Sequence, residues 1–591
     1  MRQLERFPNL VTMFFTRAAE RGEAPFLWVK RDGEWQATSW AETARKVAAL
    51  AAALGRIGLG RGDRVALISE NRPEWCIADL AIMAAGCVTV PTYTTNTERD
   101  HLHILENSGA KAAIVSNPKL LKALMPAAMR STDCRAVIGI EPLRLAQTGD
   151  IAIHDWETMI AGETPDVAAC AARADFARED LACIIYTSGT GGAPRGVMQH
   201  HGAILHNAAG CTDIISDDFG WDEEVFLSFL PLSHAYEHSG GQHFPIGLGG
   251  QIYYSEGLEK LASNIEEVRP TIMVVVPRLF EVLRTRIMKS VEKQGGLAAF
   301  LMRRAIAIGP DPKPWDWPME LLLNVTLRPK IARRFGGRLK AMVSGGAPLN
   351  PDVGLFFQAM GLTVLQGYGQ TEAAPVISCN RPKAGIKLDT VGPPLKDTEV
   401  RIAEDGEILI RGELVMHGYW RNPDETARVL NDGWLHSGDI GHLDEKGRLV
   451  ITDRKKDLII NDKGDNVAPQ RVEGMLTLEP EILQAMVAGD RRPYLVGLVV
   501  PDPEWSREWA AANGASADPE ALRTNDAFRR ALTAAVDRVN GGLSVIEKVR
   551  RILIADEPFS IENEMLTPSL KIRRHMIRRA YGERLDALYR G

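Results

Sequence analysis

Leu181 to Ile185 is an uninterrupted apolar run, and it passes directly into Tyr186-Thr187-Ser188-Gly189-Thr190-Gly191-Gly192-Ala193-Pro194-Arg195-Gly196. No other stretch restricts the fold as much. An apolar run of this length bounded by turn residues reads as a short buried strand, so the hydroxyls and glycines form the loop at its carboxyl end. Glycines let backbone N–H groups approach an anion without a Cβ in the way. Thr187, Ser188 and Thr190 add side-chain donors around Gly189, and Arg195 adds a fixed positive charge. The stretch therefore reads as a phosphate cradle rather than as a surface turn. It is not a Walker loop, because Val197 and Met198 follow Gly196 and no Gly-Lys-Ser/Thr does.

The preceding 180 residues supply a matching scaffold. Thr38-Ser39-Trp40-Ala41-Glu42 starts a capped helix that runs at helical spacing to Gly58. Arg64 to Ile68, Val88 to Tyr93 and Ala112 to Val115 read as strands and Pro73 to Ala85 as a helix, which is the rhythm of an α/β sheet with parallel strands. Residues 163 to 178 read as a surface connection. Composition matters mainly for what it excludes. A formal charge of −6 gives no global attraction to nucleic acid, and seven scattered cysteines without a CxxC pair indicate a reducing, cytoplasmic setting. The N-terminal stretch carries charges throughout and is predicted to be neither signal peptide nor anchor, and no apolar run is long enough to span a bilayer.

Two more strands end in glycine loops. Lys340 to Val343 leads into Ser344-Gly345-Gly346-Ala347-Pro348, and Leu362 to Leu365 into Gln366-Gly367-Tyr368-Gly369-Gln370-Thr371-Glu372. Ligands in such sheets sit beyond the carboxyl ends of strands, so Gly345, Ala347, Tyr368 and Gly369 are candidate nucleotide contacts. Tyr368 offers a face for stacking on a base, Thr371 can donate to a phosphate, and Glu372 can hold Mg²⁺ directly or through water. Between these loops, His234-Ala235-Tyr236-Glu237-His238 matches H-x-x-E-H, in which two histidines bind zinc and the Glu activates water. Pro231 upstream and Gly240-Gly241 downstream leave only a short helix there, so a zinc hydrolase built on His234 and His238 stands as an alternative reading.

The ordered set Tyr186 to Gly196, Leu230 to His234, Tyr368 to Glu372, Gly412 to Trp420, Trp434 to Asp439, Asp453 to Glu473 and Thr567 to Arg573 resembles the acyl-adenylate-forming superfamily, most closely its long-chain fatty acyl-CoA synthetases. The resemblance implies an α/β protein: a large N-terminal domain of packed α/β subdomains, residues 1–453, and a small mobile α+β C-terminal domain, residues 454–591. It implies two half-reactions, in which ATP and a carboxylic acid give acyl-AMP and pyrophosphate, and coenzyme A then displaces AMP. Mg²⁺ accompanies ATP. A fatty acyl-AMP ligase that loads a carrier protein is the nearest alternative.

The same resemblance assigns roles. Asp439 accepts hydrogen bonds from ribose hydroxyls, Arg454 contacts ribose or phosphate, and Lys456 is the hinge pivot. Gly464 lies against the pantetheine channel, His234 joins the catalytic set with Thr371 and Glu372, and Gly418-Tyr419-Trp420 is a structural turn. Lys571 is the ammonium placed between the attacking carboxylate and the α-phosphate. The phosphate loop departs from the family form, Tyr-Thr-Ser-Gly-Thr-Thr-Gly-x-Pro-Lys-Gly, at Gly191 and Arg195. No Asp lies between Ser228 and His243, which disfavours amino acids as substrates, and residues 294 to 324 resemble the insertion of long-chain enzymes. That apolar and basic segment also suits peripheral contact with the inner membrane face, and a homodimer is compatible with the resemblance.

Overall fold

The computed structural model describes residues 3–144, 149–187, 193–310, 312–567 and 571–590. The chain divides into two compact units. One comprises Met1–Arg401, Leu409–Ser437 and Leu443–Val450, and the other Ile402–Ile408, Gly438–His442 and Ile451–Gly591.

Two large sheets organise the first unit. The seven-stranded sheet has the order Ala152–Asp155, Ala136–Gly139, Ala110–Val115, Arg64–Ile68, Val88–Thr92, Leu181–Thr187, Arg195–His200, parallel throughout except for the final hairpin. The eight-stranded sheet runs Val376–Cys379, Val364–Gly369, Ala341–Ser344, Ile272–Val275, Val225–Ser228, Gln251–Tyr254, Pro25–Arg31, Glu34–Ser39, with antiparallel strands at both edges. The helix Trp40–Arg56 forms where its cap is expected, with the Ser39 side chain accepting from the Glu42 N–H. It buries Trp40 against Phe26, ring centroids 3.6 Å apart. The helix Pro73–Ala84 is apolar nearly all round and wholly buried from Trp75 onward, as expected of a helix enclosed on every side.

The expected connection at 163–178 is corrected in part. Asp166 caps a short helix, Val167–Ala172, which carries Cys170 into the core. The strand Leu449–Arg454 carries the first two residues of the charged run Asp453-Arg454-Lys455-Lys456-Asp457.

A five-stranded sheet contains Glu399–Ile402, Glu407–Arg411, Leu430–Asn431, Trp434–Leu443 and Leu449–Arg454. Within the second unit, Ile482–Ala488, Leu495–Pro501 and Val549–Ile554 form a three-stranded sheet. Its two-residue periodicity sends Val487, Leu495 and Val499 to one face, against Phe528, Leu532 and Val536 of the helix Asp526–Asn540. Met486, Val496 and Leu498 go to the other face, against Ile577, Tyr581 and Leu585 of the helix Arg574–Ala587. The seven cysteines are free thiols, and no described helix is long and apolar enough to cross a membrane.

Candidate active site

In the first unit the two strands that flank the predicted phosphate loop pair with one another. Leu181–Thr187 pairs antiparallel with Arg195–His200, bringing Thr187 opposite Arg195 and Tyr186 opposite Gly196. Ser188, Gly189, Thr190 and Gly191 lie outside the described residues. Gly196 is required by packing, since a Cβ there would lie 2.6 Å from Ile184 Cγ2 and 3.1 Å from Tyr186 Cζ. The segment after Val415 pairs with the second hairpin strand: His417 N–H donates to Met198 O at 3.0 Å, Met198 N–H to Gly418 O at 3.0 Å, and Trp420 N–H to Gly196 O at 2.7 Å.

Tyr419, carried by this pairing, is the residue the sequence reading undervalued. Its hydroxyl donates to Glu372 Oε1 at 2.8 Å, and the Arg195 guanidinium lies over its ring at 5.3 Å from the centroid. Arg195 is also ion-paired to Glu425. One buried ring thus joins Arg195, on the strand after the expected phosphate loop, to the acid expected to hold Mg²⁺. Burial, and then the adjacent Glu372 carboxylate, push the Tyr419 hydroxyl well above its ordinary value, so it stays a proton donor. The Gly-Tyr-Trp turn is structural, as expected, and it positions two site residues as well.

Thr371 and Glu372 lie in the connection between Val364–Gly369 and Val376–Cys379. Gln370 N–H donates to Pro375 O at 3.0 Å across the base of this connection. Gln199 Nε2 donates to Thr371 O at 2.7 Å and Met416 N–H to Glu372 O at 2.9 Å, so both neighbouring segments hold the turn by its backbone. Tyr368 is largely buried within the strand, opposite Ser378. At the next strand end, Gly345 lies against Tyr236, 2.8 Å from an added Cβ to Tyr236 Cζ, while Ala347 is exposed. Tyr236 is fixed by its hydroxyl, which donates to Val343 O at 2.9 Å.

His234 ends the Leu230–His234 motif, where its Nδ1 accepts from Tyr236 N–H at 3.1 Å. The motif is clamped by Asn71, which the sequence reading missed. Its amide donates to Leu230 O at 2.6 Å and accepts from Leu232 N–H at 3.1 Å. The H-x-x-E-H reading is corrected. Glu237 is buried and accepts from Ser228 Oγ at 2.6 Å, and among the described residues the one cluster of metal-type side chains joins His238 to Asp79 and His243, leaving His234 out. The cause is local: Ala235–Glu237 is only a short α-helical turn, and His238–His243 continues as a π-helix.

The second unit carries the remaining candidates. Asp439 is buried and accepts from Arg454 Nε at 3.0 Å. Gly438 N–H donates to Glu407 Oε1 at 2.9 Å, and Lys455 binds Asp405 Oδ2 at 2.7 Å and Glu407 Oε2 at 3.2 Å. Lys456 is exposed in the turn closed by the Leu458 N–H to Arg454 O bond of 3.0 Å. Gly464 is exposed at φ +86° with no atom within 4 Å of a built Cβ, a left-handed turn conformation that favours glycine. Asn461 Oδ1 accepts from Lys463 and Asp465 N–H at 2.9 and 2.8 Å and shapes that turn. Lys571 is exposed, with Thr567 N–H donating to Lys571 O at 2.8 Å and Lys571 N–H to Thr567 Oγ1 at 3.0 Å. Of the basic residues around it, Arg574 is taken up internally by buried Glu473.

The family profile described as AMP-binding enzyme matches residues 14–420, and the AMP-binding enzyme C-terminal domain matches residues 456–591. The long-chain-fatty-acid--CoA ligase FadD15 of Mycobacterium tuberculosis is 32% identical, covering 98% of this chain and 97% of its own. Long chain acyl-CoA synthetase 7, peroxisomal, of Arabidopsis thaliana is 30% identical over 94% of this chain and 82% of its own. Among solved structures, the A domain of the carboxylic acid reductase from Segniliparus rugosus, in complex with AMP and a co-purified carboxylic acid, superposes with a TM-score of 0.79. It is 21% identical and covers 99% of this chain and 94% of that one. By its strand-end loops, its two units and these full-length similarities, the chain belongs to the AMP-binding enzyme family.

Proposed function

We propose that the chain is a long-chain fatty acid–CoA ligase. A carboxylate oxygen attacks the α-phosphorus of ATP, the bond to the β-phosphate oxygen breaks, and pyrophosphate leaves. The thiolate of coenzyme A then attacks the acyl carbon, and the bond to the AMP phosphate oxygen breaks. The observation that carries the reading is the Arg195–Tyr419–Glu372 chain, which couples a phosphate hairpin to a carboxylate at the ends of two strands. Glu372 is a partly exposed carboxylate with one oxygen fixed by Tyr419, a hard oxygen donor of the kind Mg²⁺ takes, and Mg²⁺ bound there would offset phosphate charge. Asp439 and Arg454 belong to the same reading as the ribose contacts, with Lys456 as pivot between domains divided after Asp453.

Similarity to long-chain ligases over nearly the whole chain supports the substrate class. The matching experiment is ATP–pyrophosphate exchange and thioester formation with a panel of saturated acids of increasing length. Exchange is expected to rise toward long chains, with acyl-CoA as product. Preference for short or aryl acids would remove the long-chain assignment, and exchange without productive coenzyme A turnover would favour a carrier-loading acyl-AMP ligase.

Peripheral membrane contact forms part of the same proposal. The helices Gly296–Ile308 and Trp317–Val325 expose Leu297, Phe300, Ile306 and Val325, and Trp315 and Trp317 are 73% and 69% exposed. Arg303, Arg304 and Lys313 are exposed on the same segment. Apolar and aromatic side chains interleaved with cations suit an anionic bilayer surface. The protein is expected to sediment with phosphatidylglycerol vesicles and much less with phosphatidylcholine ones, and the double substitution Trp315→Ala, Trp317→Ala to release it. Equal recovery in the supernatant with both vesicle types would dismiss this contact.

A further inference from the structure

The π-helix His238–His243 creates an arrangement that an α-helix does not allow. Residues five apart lie about 140° apart around an α-helix, but one wider turn returns them to nearly the same face. His238 and His243 therefore face one another, ring centroids 4.6 Å apart and Nε2 atoms 3.2 Å apart. Both Nε2 atoms converge on Oδ2 of Asp79, at 2.9 Å from His238 and 3.4 Å from His243. Asp79 comes from a different element, the buried helix Pro73–Ala84. The Gln242 amide adds a fourth polar group, 2.7 Å from the same Oδ2 and 3.5 Å from His243 Nε2. All four side chains have zero solvent exposure.

We propose that Asp79, His238 and His243, with the Gln242 amide N–H donating to the Asp79 carboxylate beside them, form a buried structural site for a divalent transition metal of the zinc class. Ligand bonds of about 2.0–2.1 Å at the tetrahedral angle place neighbouring ligand atoms about 3.3 Å apart. The three side chains already hold their ligand atoms 2.9, 3.2 and 3.4 Å apart. A hydrogen-bond network alone would spread its donors over both carboxylate oxygens. Here three nitrogens crowd one oxygen, while Asp79 Oδ1, Gln242 Oε1 and both imidazole Nδ1 atoms are buried without hydrogen-bond partners among the described residues. Opposite tautomers let one Nε2–H serve the other ring, but they leave a lone pair turned toward the Asp79 carboxylate, and a cation among the three atoms removes that conflict. Imidazole and carboxylate together select zinc-class ions over Mg²⁺, which takes an all-oxygen set. The site is therefore chemically distinct from the one expected at Glu372.

The consequence is positional. Ser239, inside the π-turn, donates from Oγ to Ala374 O at 2.9 Å, two residues beyond Glu372. A metal pinning the π-turn to the helix Pro73–Ala84 would hold the far side of the Thr371–Glu372 connection.

The test is the metal content of the full-length protein, since an enclosed site fills during folding. Protein expressed in minimal medium supplemented separately with zinc, cobalt, manganese, iron or nickel is purified by gel filtration and analysed by elemental mass spectrometry. About one equivalent of zinc or cobalt per chain is expected, with the cobalt form showing visible d–d absorption from nitrogen and oxygen ligands. His243→Gln and Asp79→Asn are expected to lose that equivalent while keeping the wild-type circular dichroism spectrum. If either variant misfolds, the wild-type stoichiometry and cobalt spectrum decide alone. Less than a tenth of an equivalent of every ion in folded wild-type protein would overturn the proposal, leaving a hydrogen-bonded cluster only, and so would equal metal in wild type and folded variants.

Discussion

Lys571→Ala is expected to lower acyl-AMP formation by about 10²- to 10³-fold while leaving conversion of supplied acyl-AMP to thioester near the wild-type rate. The carboxylate and ATP are both anionic, and negative charge builds on the α-phosphate oxygens as the new bond forms. One ammonium at that point acts most strongly in the transition state, and it has no comparable task once the acyl-AMP bond exists. The substitution should not disturb the fold. Lys571 is exposed, and the contacts that shape its turn are made by its backbone and by Thr567. Its stability change is therefore expected within about 0.5 kcal/mol, the usual range for surface positions. ATP–pyrophosphate exchange reads the first half-reaction, and thioester formation from synthetic acyl-AMP and coenzyme A reads the second. Equal loss of both would show Lys571 serving substrate binding in general, and loss of neither would remove it from the reaction.

What could be read from the sequence was what is encoded locally. Strands ending in glycines and the Ser39 cap need only neighbours along the chain, and they lie where their patterns put them. The contacts that assemble the site are long-range. Tyr419 and Glu372 are separated by 47 positions and Arg195 and Glu425 by 230, so nothing in either local pattern announces the partner. A Gly-Tyr-Trp turn looks structural until the strand beside it is known. Asn71, which clamps Leu230 and Leu232, has no motif of its own.

His238 shows the opposite hazard. H-x-x-E-H assumes the four-residue spacing of an α-helix, whereas the π-turn exchanges His234 for His243 as the facing partner. Helical periodicity read from sequence cannot register such an inserted residue. Gly464 adopts left-handed backbone, a demand of its turn that the motif position alone does not announce.

Gly369→Ala is the substitution expected to damage both half-reactions. A Cβ at Gly369 would lie 2.1 Å from Pro375 O, 2.7 Å from Pro375 C and 3.1 Å from Val376 Cα. These are backbone atoms, and no rotamer change relieves them. The same Pro375 carbonyl accepts the Gln370 N–H that closes the base of the Thr371–Glu372 connection. Relief of the clash therefore has to open that base and carry Thr371 and Glu372 away from Arg195 and Tyr419. Displacement of about 1 Å in a catalytic group typically costs about 10²-fold in rate. A comparable loss is expected here in exchange and in thioester formation from supplied acyl-AMP, because both steps use the acyl-AMP held at these loops. Overpacking of this kind also destabilises by about 1–3 kcal/mol, which a lowered Tm would report. Gly464→Ala separates strain from clash, since it meets left-handed backbone but no neighbouring atom. It should lower stability modestly and leave pyrophosphate exchange intact. If Gly369→Ala exchanged pyrophosphate like the wild type, the close approach of this loop to Pro375 would have no part in positioning Glu372.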